Sequence, residues 1–138
     1  MRRFYLDTCI WIDLIENRVG TKGEPFGKEA TKLLAWIRQH KHRIIISDEV
    51  YRELSVYFPD VTKPLLSFAL ICDLILVNPA QQSEARMVAQ LRNVPLSDAV
   101  HALIARDYGC TLVSRDRHFR RLTDITSYCF PWHAARRA

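Results

Sequence analysis

Apolar and polar positions along the chain follow two different spacings. Short apolar runs rich in β-branched residues are typical of buried strands, whereas apolar residues three or four positions apart are typical of amphipathic helices. The first spacing predicts strands at residues 3–6, 43–46, 74–77, 111–114 and 127–130. The second predicts a helix beginning near residue 8 and further helices at residues 28–40, 48–58, 62–70, 82–91 and 98–108. This alternation predicts an α/β fold, a three-layer α/β/α sandwich with a central, mainly parallel sheet.

Glycine, proline and the end of the chain indicate the connections between these elements. The stretch 19–27 contains three glycines and one proline, which predicts a loop. Gly109 is predicted to be the left-handed residue that ends the helix before the fourth strand. The tail from residue 131 is predicted to fray, with Arg136 and Arg137 forming a mobile basic end.

Length and composition narrow the class of protein. The chain has 138 residues, 49% of them apolar, which is enough for one domain over residues 1–138 with its own core. The net charge of +5 is equally compatible with a soluble surface and with a polyanionic partner. The four cysteines are scattered, without metal-ligand spacing, and indicate reduced thiols. With no apolar run of ~18 residues and no leader pattern, we expect no membrane partner and a cytoplasmic location.

Acidic residues follow the predicted strands at several points. Asp7 comes directly after the first strand, Asp116 lies just past the fourth, and Asp98 opens a helix. Glu53 lies on the helix that follows the second strand. Because the carboxyl ends of parallel strands meet at one edge of a sheet, we expect these side chains to lie close together. Each has an ordinary alternative role as a cap, turn, ion-pair or surface residue, but four at matching strand ends are stronger evidence than any one.

Crowded carboxylates indicate a particular kind of site. They repel one another, and proteins tolerate this when a cation neutralises them. Hard divalent cations prefer oxygen ligands, and no cysteine or histidine cluster indicates zinc instead. The chain also lacks a glycine-rich phosphate-binding loop. A divalent cation at this edge could activate water and stabilise charge on a phosphodiester, which is one coherent use for acidic residues in a basic protein.

Four segments of the chain resemble the motifs of the PIN-domain family, in the family's order and over nearly the whole chain. They match an apolar strand ending in Asp-Thr, a strand-Ser-x5-Glu-Leu block, an Asp-Ala-x-His-Ala helix start, and an apolar strand leading to Thr-x-Asp-x-x-Phe. In this sequence they are residues 4–8 (FYLDT), 46–54 (ISDEVYREL), 96–102 (LSDAVHA) and 112–119 (LVSRDRHF). The resemblance implies a PIN-like α/β/α fold and agrees with the independent reading of the pattern.

The resemblance also implies an activity and a set of site residues. Many small PIN domains are VapC-type toxins, which are Mg²⁺- or Mn²⁺-dependent endoribonucleases of toxin–antitoxin pairs. Carried over by position, it assigns the catalytic and metal-binding carboxylates to Asp7, Glu53, Asp98 and Asp116. Thr8 and Ser114 match hydroxyl positions, and we expect them to position an acidic side chain, water or phosphate.

Expected partners follow from the same resemblance. They are an RNA substrate, a cognate antitoxin and, as is common in the family, a second copy in a homodimer. Trp11 with Leu14, or Trp36 with Leu33, offers an antitoxin platform on the first two helices. The sequence does not separate such an interface stripe from a core stripe.

Several residues have open roles. Many family members have a second Asp at the position of His118, so this histidine either weakens a second metal site or contacts phosphate. Glu49 is a lesser alternative to Glu53. The arginines Arg115 and Arg117, with Arg120 and Arg121, are equally compatible with a phosphate grip and with a solvated turn. Asp13 and Glu16 are interpreted as a solvated helix face, and His101 as a core or supporting residue.

Two other functions compete with the nuclease. One is a degenerate PIN domain that only binds RNA or protein, which the His118 replacement favours. The other is a response-receiver fold, which also gathers carboxylates and Mg²⁺ at strand ends. That fold needs a lysine after a late strand, and the last lysine here is Lys63. The sequence therefore disfavours the receiver.

Overall fold

Five strands form one parallel sheet in the order β3-β2-β1-β4-β5. The structure is a computed structural model, and it describes residues 1–135. The predicted α/β fold with a parallel sheet is confirmed, and the strand order differs from the 2-1-3-4-5 order of receiver domains. The strands are β1 (Arg3–Leu6), β2 (Arg43–Ser47), β3 (Cys72–Ile75), β4 (Cys110–Val113) and β5 (Tyr128–Cys129).

Helices connect the strands and cover both faces of the sheet. The chain moves from β1 through β2 to the β3 edge, then returns to place β4 on the other side of β1. Because parallel crossovers are right-handed, this reversal puts the crossover helices before β3 on one face and those between β3 and β4 on the other. The helices are α1 (Thr8–Glu16), α2 (Phe26–Gln39), α3 (Asp48–Tyr57), α4 (Thr62–Leu66), α5 (Pro79–Arg92), α6 (Leu96–Asp107) and α7 (Pro131–Ala134).

The core is centred on β1, which has neighbours on both sides. Its three apolar residues Phe4, Tyr5 and Leu6 are fully buried, and its predicted bounds are confirmed. Trp11 and Leu33, which the sequence offered as a partner platform, are also buried in this core. That part of the platform prediction is wrong, because α1 and α2 pack against each other and against the sheet with these stripes inward.

The third strand differs most from its prediction. A buried strand was expected at residues 74–77, but β3 is Cys72–Ile75 and lies at the edge of the sheet. Leu74 and Leu76 are 63% and 68% exposed. The register is fixed by β2, where Arg43 Nη2 donates to Asp73 Oδ1 at 2.7 Å. An apolar run looks the same at an edge as in the centre, so the sequence pattern could not distinguish the two.

The end of the described chain is more ordered than the sequence predicts. Pro131–Ala134 forms α7, whose Pro131 and Ala134 are buried and which packs on α2. The prediction of a frayed tail from residue 131 is therefore wrong for this segment, while Arg136 and Arg137 lie outside the described residues. Gly109 adopts the predicted left-handed conformation. Among residues 1–135, no helix combines the length and apolarity needed to cross a membrane.

Candidate active site

The order of the strands reverses between β1 and β4, the two strands at the centre of the sheet. In open parallel sheets, ligands bind beyond the carboxyl ends of the strands at such a switch point. Asp7 directly follows β1, and the segment 114–118 directly follows β4. The backbone amide of Asp7 donates to the carbonyl of Val113 at 3.0 Å, which holds the two strand ends together.

Ser114 links the carboxylate of Asp7 to the backbone of Asp116. Asp7 is the N-cap of α1, and its Oδ1 accepts a hydrogen bond from the Thr8 amide at 2.8 Å. The Ser114 hydroxyl donates to Asp7 Oδ2 at 2.7 Å and accepts from the backbone amide of Asp116 at 2.9 Å. Thr8 and Ser114 are both buried beside Asp7. The hydroxyl of Ser114 thus fixes the carboxylate of Asp7 relative to the start of the 116–118 turn.

Asp98, Asp116 and His118 form the tightest group of possible metal ligands in residues 1–135. One ligand atom from each lies within 4.8 Å of the others. His118 Nδ1 is 2.9 Å from Asp116 Oδ1 and 3.4 Å from Asp98 Oδ2. Asp98 is buried in the first turn of α6, whereas His118 is half exposed. His118 therefore stands with the carboxylates as a third ligand donor, on the solvent side of the group.

The electrostatics of this group fit a cation. Burial, and then the negative charges of Asp116 and Asp7, raise the pKa of Asp98 to about 7. Within the described residues, the buried Oδ2 atom of Asp98 accepts no hydrogen bond. A buried carboxylate oxygen without a donor is costly, and a hard divalent cation would satisfy it while neutralising its neighbours.

Glu53 is held on the other flank of Asp7 by a buried histidine. His101 Nε2 lies 2.7 Å from Glu53 Oε1 and 3.6 Å from Asp7 Oδ1. Its Nδ1 is 2.6 Å from the hydroxyl of Tyr5, which is itself 2.6 Å from Ser47 Oγ. This chain of contacts runs through the interior from α3 to α6.

The pKa values of Glu53 and His101 are shifted in the directions that favour opposite charges on the two side chains. Burial acts to raise the pKa of Glu53, but the hydrogen bond and charge of His101 outweigh it and lower the pKa below its ordinary value. Burial likewise acts to lower the pKa of His101, but Glu53 and Asp7 raise it overall. The short contact between His101 Nε2 and Glu53 Oε1 orients this carboxylate beside Asp7.

The structure thus brings the four predicted carboxylates to one edge of the sheet, but they do not form a single compact cluster. Asp98 and Asp116 group with His118, and Asp7 is connected to them through Ser114. Glu53 lies beyond Asp7, next to His101. Glu49, the lesser alternative, pairs with Arg52 instead, at 2.5 Å between Oε1 and Nη2.

Two residues near the site have partners that sequence reasoning did not identify. His101 was interpreted as a core or supporting residue, and this is confirmed, since it is fully buried and contacts Tyr5 and Glu53. Asp13 was interpreted as part of a solvated helix face, and this is wrong. Asp13 is buried and receives two hydrogen bonds from Arg115, at 2.6 and 2.9 Å. Arg115 is therefore committed to a structural ion pair, while Arg117 is exposed.

The family model for the PIN domain matches residues 4–125. The chain belongs to the PIN-domain family. The match contains every residue of the acidic edge described above, from Asp7 to His118. A comparison with curated protein sequences gives no significant match.

Solved structures share the fold at low sequence identity. The complex VapBC2 from Rickettsia felis, bound to a DNA fragment from its promoter, superimposes with a TM-score of 0.68 at 19% identity, over 93% of this chain and 98% of that one. A toxin–antitoxin complex from Klebsiella pneumoniae gives 0.66 at 20% identity, over 93% and 97%. VapBC-1 from nontypeable Haemophilus influenzae gives 0.61 at 19% identity, over 94% and 98%. At these identities the likeness establishes that this PIN domain has the same fold.

Proposed function

We propose that this PIN domain is a metal-dependent endoribonuclease that hydrolyses RNA phosphodiester bonds. The observation that carries the proposal is the Asp98–Asp116–His118 group, in which a buried carboxylate oxygen lacks a donor at the switch point of the sheet. A group of this kind is expensive to maintain in a folded protein unless a ligand completes it. The PIN fold and the position of the group favour a nuclease over a domain that only binds.

The residues of the site have distinct proposed tasks. Asp7, Glu53, Asp98 and Asp116 would hold Mg²⁺ or Mn²⁺, with His118 as an additional donor on the solvent side. The cation would supply activation of water and stabilisation of charge on the phosphodiester. Ser114 and Thr8 position Asp7, and His101 positions Glu53. His118 replaces an acidic residue with a ligand-competent one, so its presence does not dismantle the site.

We also propose that the protein is the toxin of a toxin–antitoxin pair. Its neighbours in structure are toxin–antitoxin complexes, and this chain exposes leucines in β3 and in the segments just before and after it that an assembled protein would cover. These are Leu66, Leu70, Leu74 and Leu76. The proposed partner is a cognate antitoxin, with a second copy of the chain as a further component of the assembly. Co-purification with the product of the adjoining reading frame tests this part of the proposal.

The first test is cleavage of a mixed structured RNA in Mn²⁺ or Mg²⁺, beside EDTA. Asp98→Asn is expected to lower the rate by more than about 100-fold, since even an outer partner of a metal ligand contributes roughly 10- to 100-fold. Asp60→Asn is the matched control, because it removes the same charge from an exposed residue in the turn after α3. Circular dichroism establishes that the proteins are equally folded.

Cleavage by Asp98→Asn at the wild-type rate would contradict the proposed site. Cleavage that persists in EDTA would contradict metal dependence. Mn²⁺ binding measured by calorimetry gives a second reading that needs no RNA substrate. Binding by the wild type and by Asp60→Asn, but not by Asp98→Asn, supports the metal site even where the chosen RNA is not cut.

A further inference from the structure

Three aromatic rings from distant parts of the chain lie nearly parallel beside the acidic edge. Trp132 and Phe130 have ring centroids 5.1 Å apart and planes inclined by 16°. Trp132 and Phe26 have centroids 6.4 Å apart and planes inclined by 17°. Phe26 begins α2, whereas the other two residues come from the segment around α7. Together the rings line a cavity of about 510 Å³ that is open to solvent on one side.

The wall of this cavity is held by the buried ion pair next to it. Arg115 is fixed by Asp13, and its guanidinium carbon lies 3.9 Å from the centroid of Phe26. The pair therefore sets the position of the ring as well as that of the 114–118 turn. A surface whose rings are already oriented loses little conformational freedom when it binds a flat ligand.

The cavity adjoins the segment that carries Asp116. Arg115 and Arg117, which line it, are the chain neighbours of Asp116. The hydroxyl of Tyr128 donates to the carbonyl of Asp116 at 2.9 Å, and its ring contacts Phe130 at 5.8 Å between centroids. A polymer lying across the metal site would place its next unit against the rings.

The charges of the lining indicate which part of a nucleotide fits. Arg117 is exposed and follows Asp116 in the chain, so it is placed to contact a phosphate at the metal site. Glu24 and Glu29 also line the cavity and would repel a phosphate placed inside it. Carboxylates accept hydrogen bonds from the amino groups of bases, and aromatic rings stack on base faces. The cavity is therefore suited to a base, with the phosphate kept at its mouth.

We propose that this cavity, defined by Phe26, Phe130 and Trp132, binds an unpaired nucleobase of single-stranded RNA next to the cleaved phosphate. The inference rests on the proposed ribonuclease function for the identity of the strand. It adds a subsite that selects unpaired RNA, because a base within a duplex has no free face to offer to the rings.

The test uses binding without cleavage. A short single-stranded oligoribonucleotide containing 2-aminopurine is titrated with the protein in EDTA, following fluorescence quenching and anisotropy. Trp132→Leu is expected to weaken binding by about five-fold to one-hundred-fold and to remove the quenching, the range that stacking on one ring contributes. Trp132→Phe is expected to bind nearly as the wild type does. Tyr57→Leu is the matched control, since Tyr57 is an exposed ring that does not line the cavity.

A second measurement leaves the protein unchanged. The wild type is titrated with a ribose-phosphate backbone of the same length that carries no bases, and it is expected to bind this probe at least about five-fold more weakly. Two results would overturn the proposal. The wild type could bind both probes equally well, or Trp132→Leu could bind the base-containing probe as well as the wild type does. The cavity would then be assigned to a peptide of a partner protein. Stacking is measured in EDTA, and cleavage is measured separately in Mn²⁺. Stacking in EDTA with no cleavage in Mn²⁺ would count against the nuclease alone, and cleavage in Mn²⁺ with no stacking in EDTA would count against the subsite alone.

Discussion

Asp13 and Asp98 are both almost completely buried, with side chains 1% and 9% exposed, and both lie against the segment that follows β4. Asp13 meets the guanidinium of Arg115 through two short hydrogen bonds. Asp98 meets two further carboxylates and a half-exposed histidine, and its Oδ2 accepts no hydrogen bond within the described chain. The charge of Asp13 is therefore neutralised by a partner within the protein, whereas the charge of Asp98, at a similar depth, is not.

This difference distinguishes an acidic residue that stabilises the fold from one that is suited to bind a ligand. A buried charge with an internal partner is self-sufficient, and its loss is felt in folding. A buried charge among like charges destabilises the empty fold and gains its compensation from a ligand. The burial of an acidic residue is thus a poor guide to function unless its partner is also known.

The largest expected effect comes from breaking the compensated pair. Arg115→Met leaves Asp13 buried and unpaired, and we expect the free energy of unfolding to fall by about 3 kcal/mol. Asp13→Asn is expected to cost less, because Arg115 is partly exposed and can turn toward water. Urea denaturation of both variants measures the difference. Equal losses, or none for Arg115→Met, would show that the pair does not stabilise the fold in this way.

The opposite sign is expected at Asp98. Its pKa in the folded protein, about 7, lies above the ordinary aspartate value of 3.8, so the folded state holds this proton more tightly than the unfolded state does. Stability of the metal-free protein therefore falls as pH rises from about 4 to about 7. Asp98→Asn lacks this loss, and we expect it to be more stable than the wild type at pH 8 by on the order of 1–2 kcal/mol, but not at pH 4.

Thermal unfolding in EDTA at the two pH values checks this prediction. Asp60→Asn serves again as the control and is expected to change little at either pH. A destabilised Asp98→Asn at pH 8 would mean that the carboxylate is compensated in the empty fold after all, and the contrast with Asp13 would disappear.

The smallest expected effect is on metal affinity. A proton on Asp98 competes with a cation, so the affinity for Mn²⁺ is expected to fall as the pH is lowered below about 7, by about ten-fold per unit if one proton is displaced. Calorimetry in buffers of different ionisation enthalpy counts the released proton. A flat affinity between pH 8 and pH 6 would argue that Asp98 is already ionised without metal.

Local pattern explains why much of the fold was predictable. The bounds of β1 were predicted correctly because charged residues flank its short apolar run on both sides. The start of α6 was predicted to within two residues. β3 was misplaced because its bounds and its edge position depend on which strand pairs with which, and an exposed Leu74 looks the same in the sequence as a buried one. The supporting role of His101 was predicted, but its partners were not, because Tyr5 and Glu53 are 96 and 48 residues away along the chain.

The sequence by itself determined the alternation of strands and helices and the carboxylates that follow the strands, because periodicity and turn chemistry act over a few residues. Only the tertiary structure decided that Arg115 reaches across 102 residues to neutralise Asp13 while Asp98 has no such cation. The same holds for the aromatic cavity, whose rings come from the start of α2 and from the end of the described chain. Charge neutralisation and aromatic stacking each need two side chains, and here the partners are distant in sequence. They meet only when the folded sheet brings their segments to one edge.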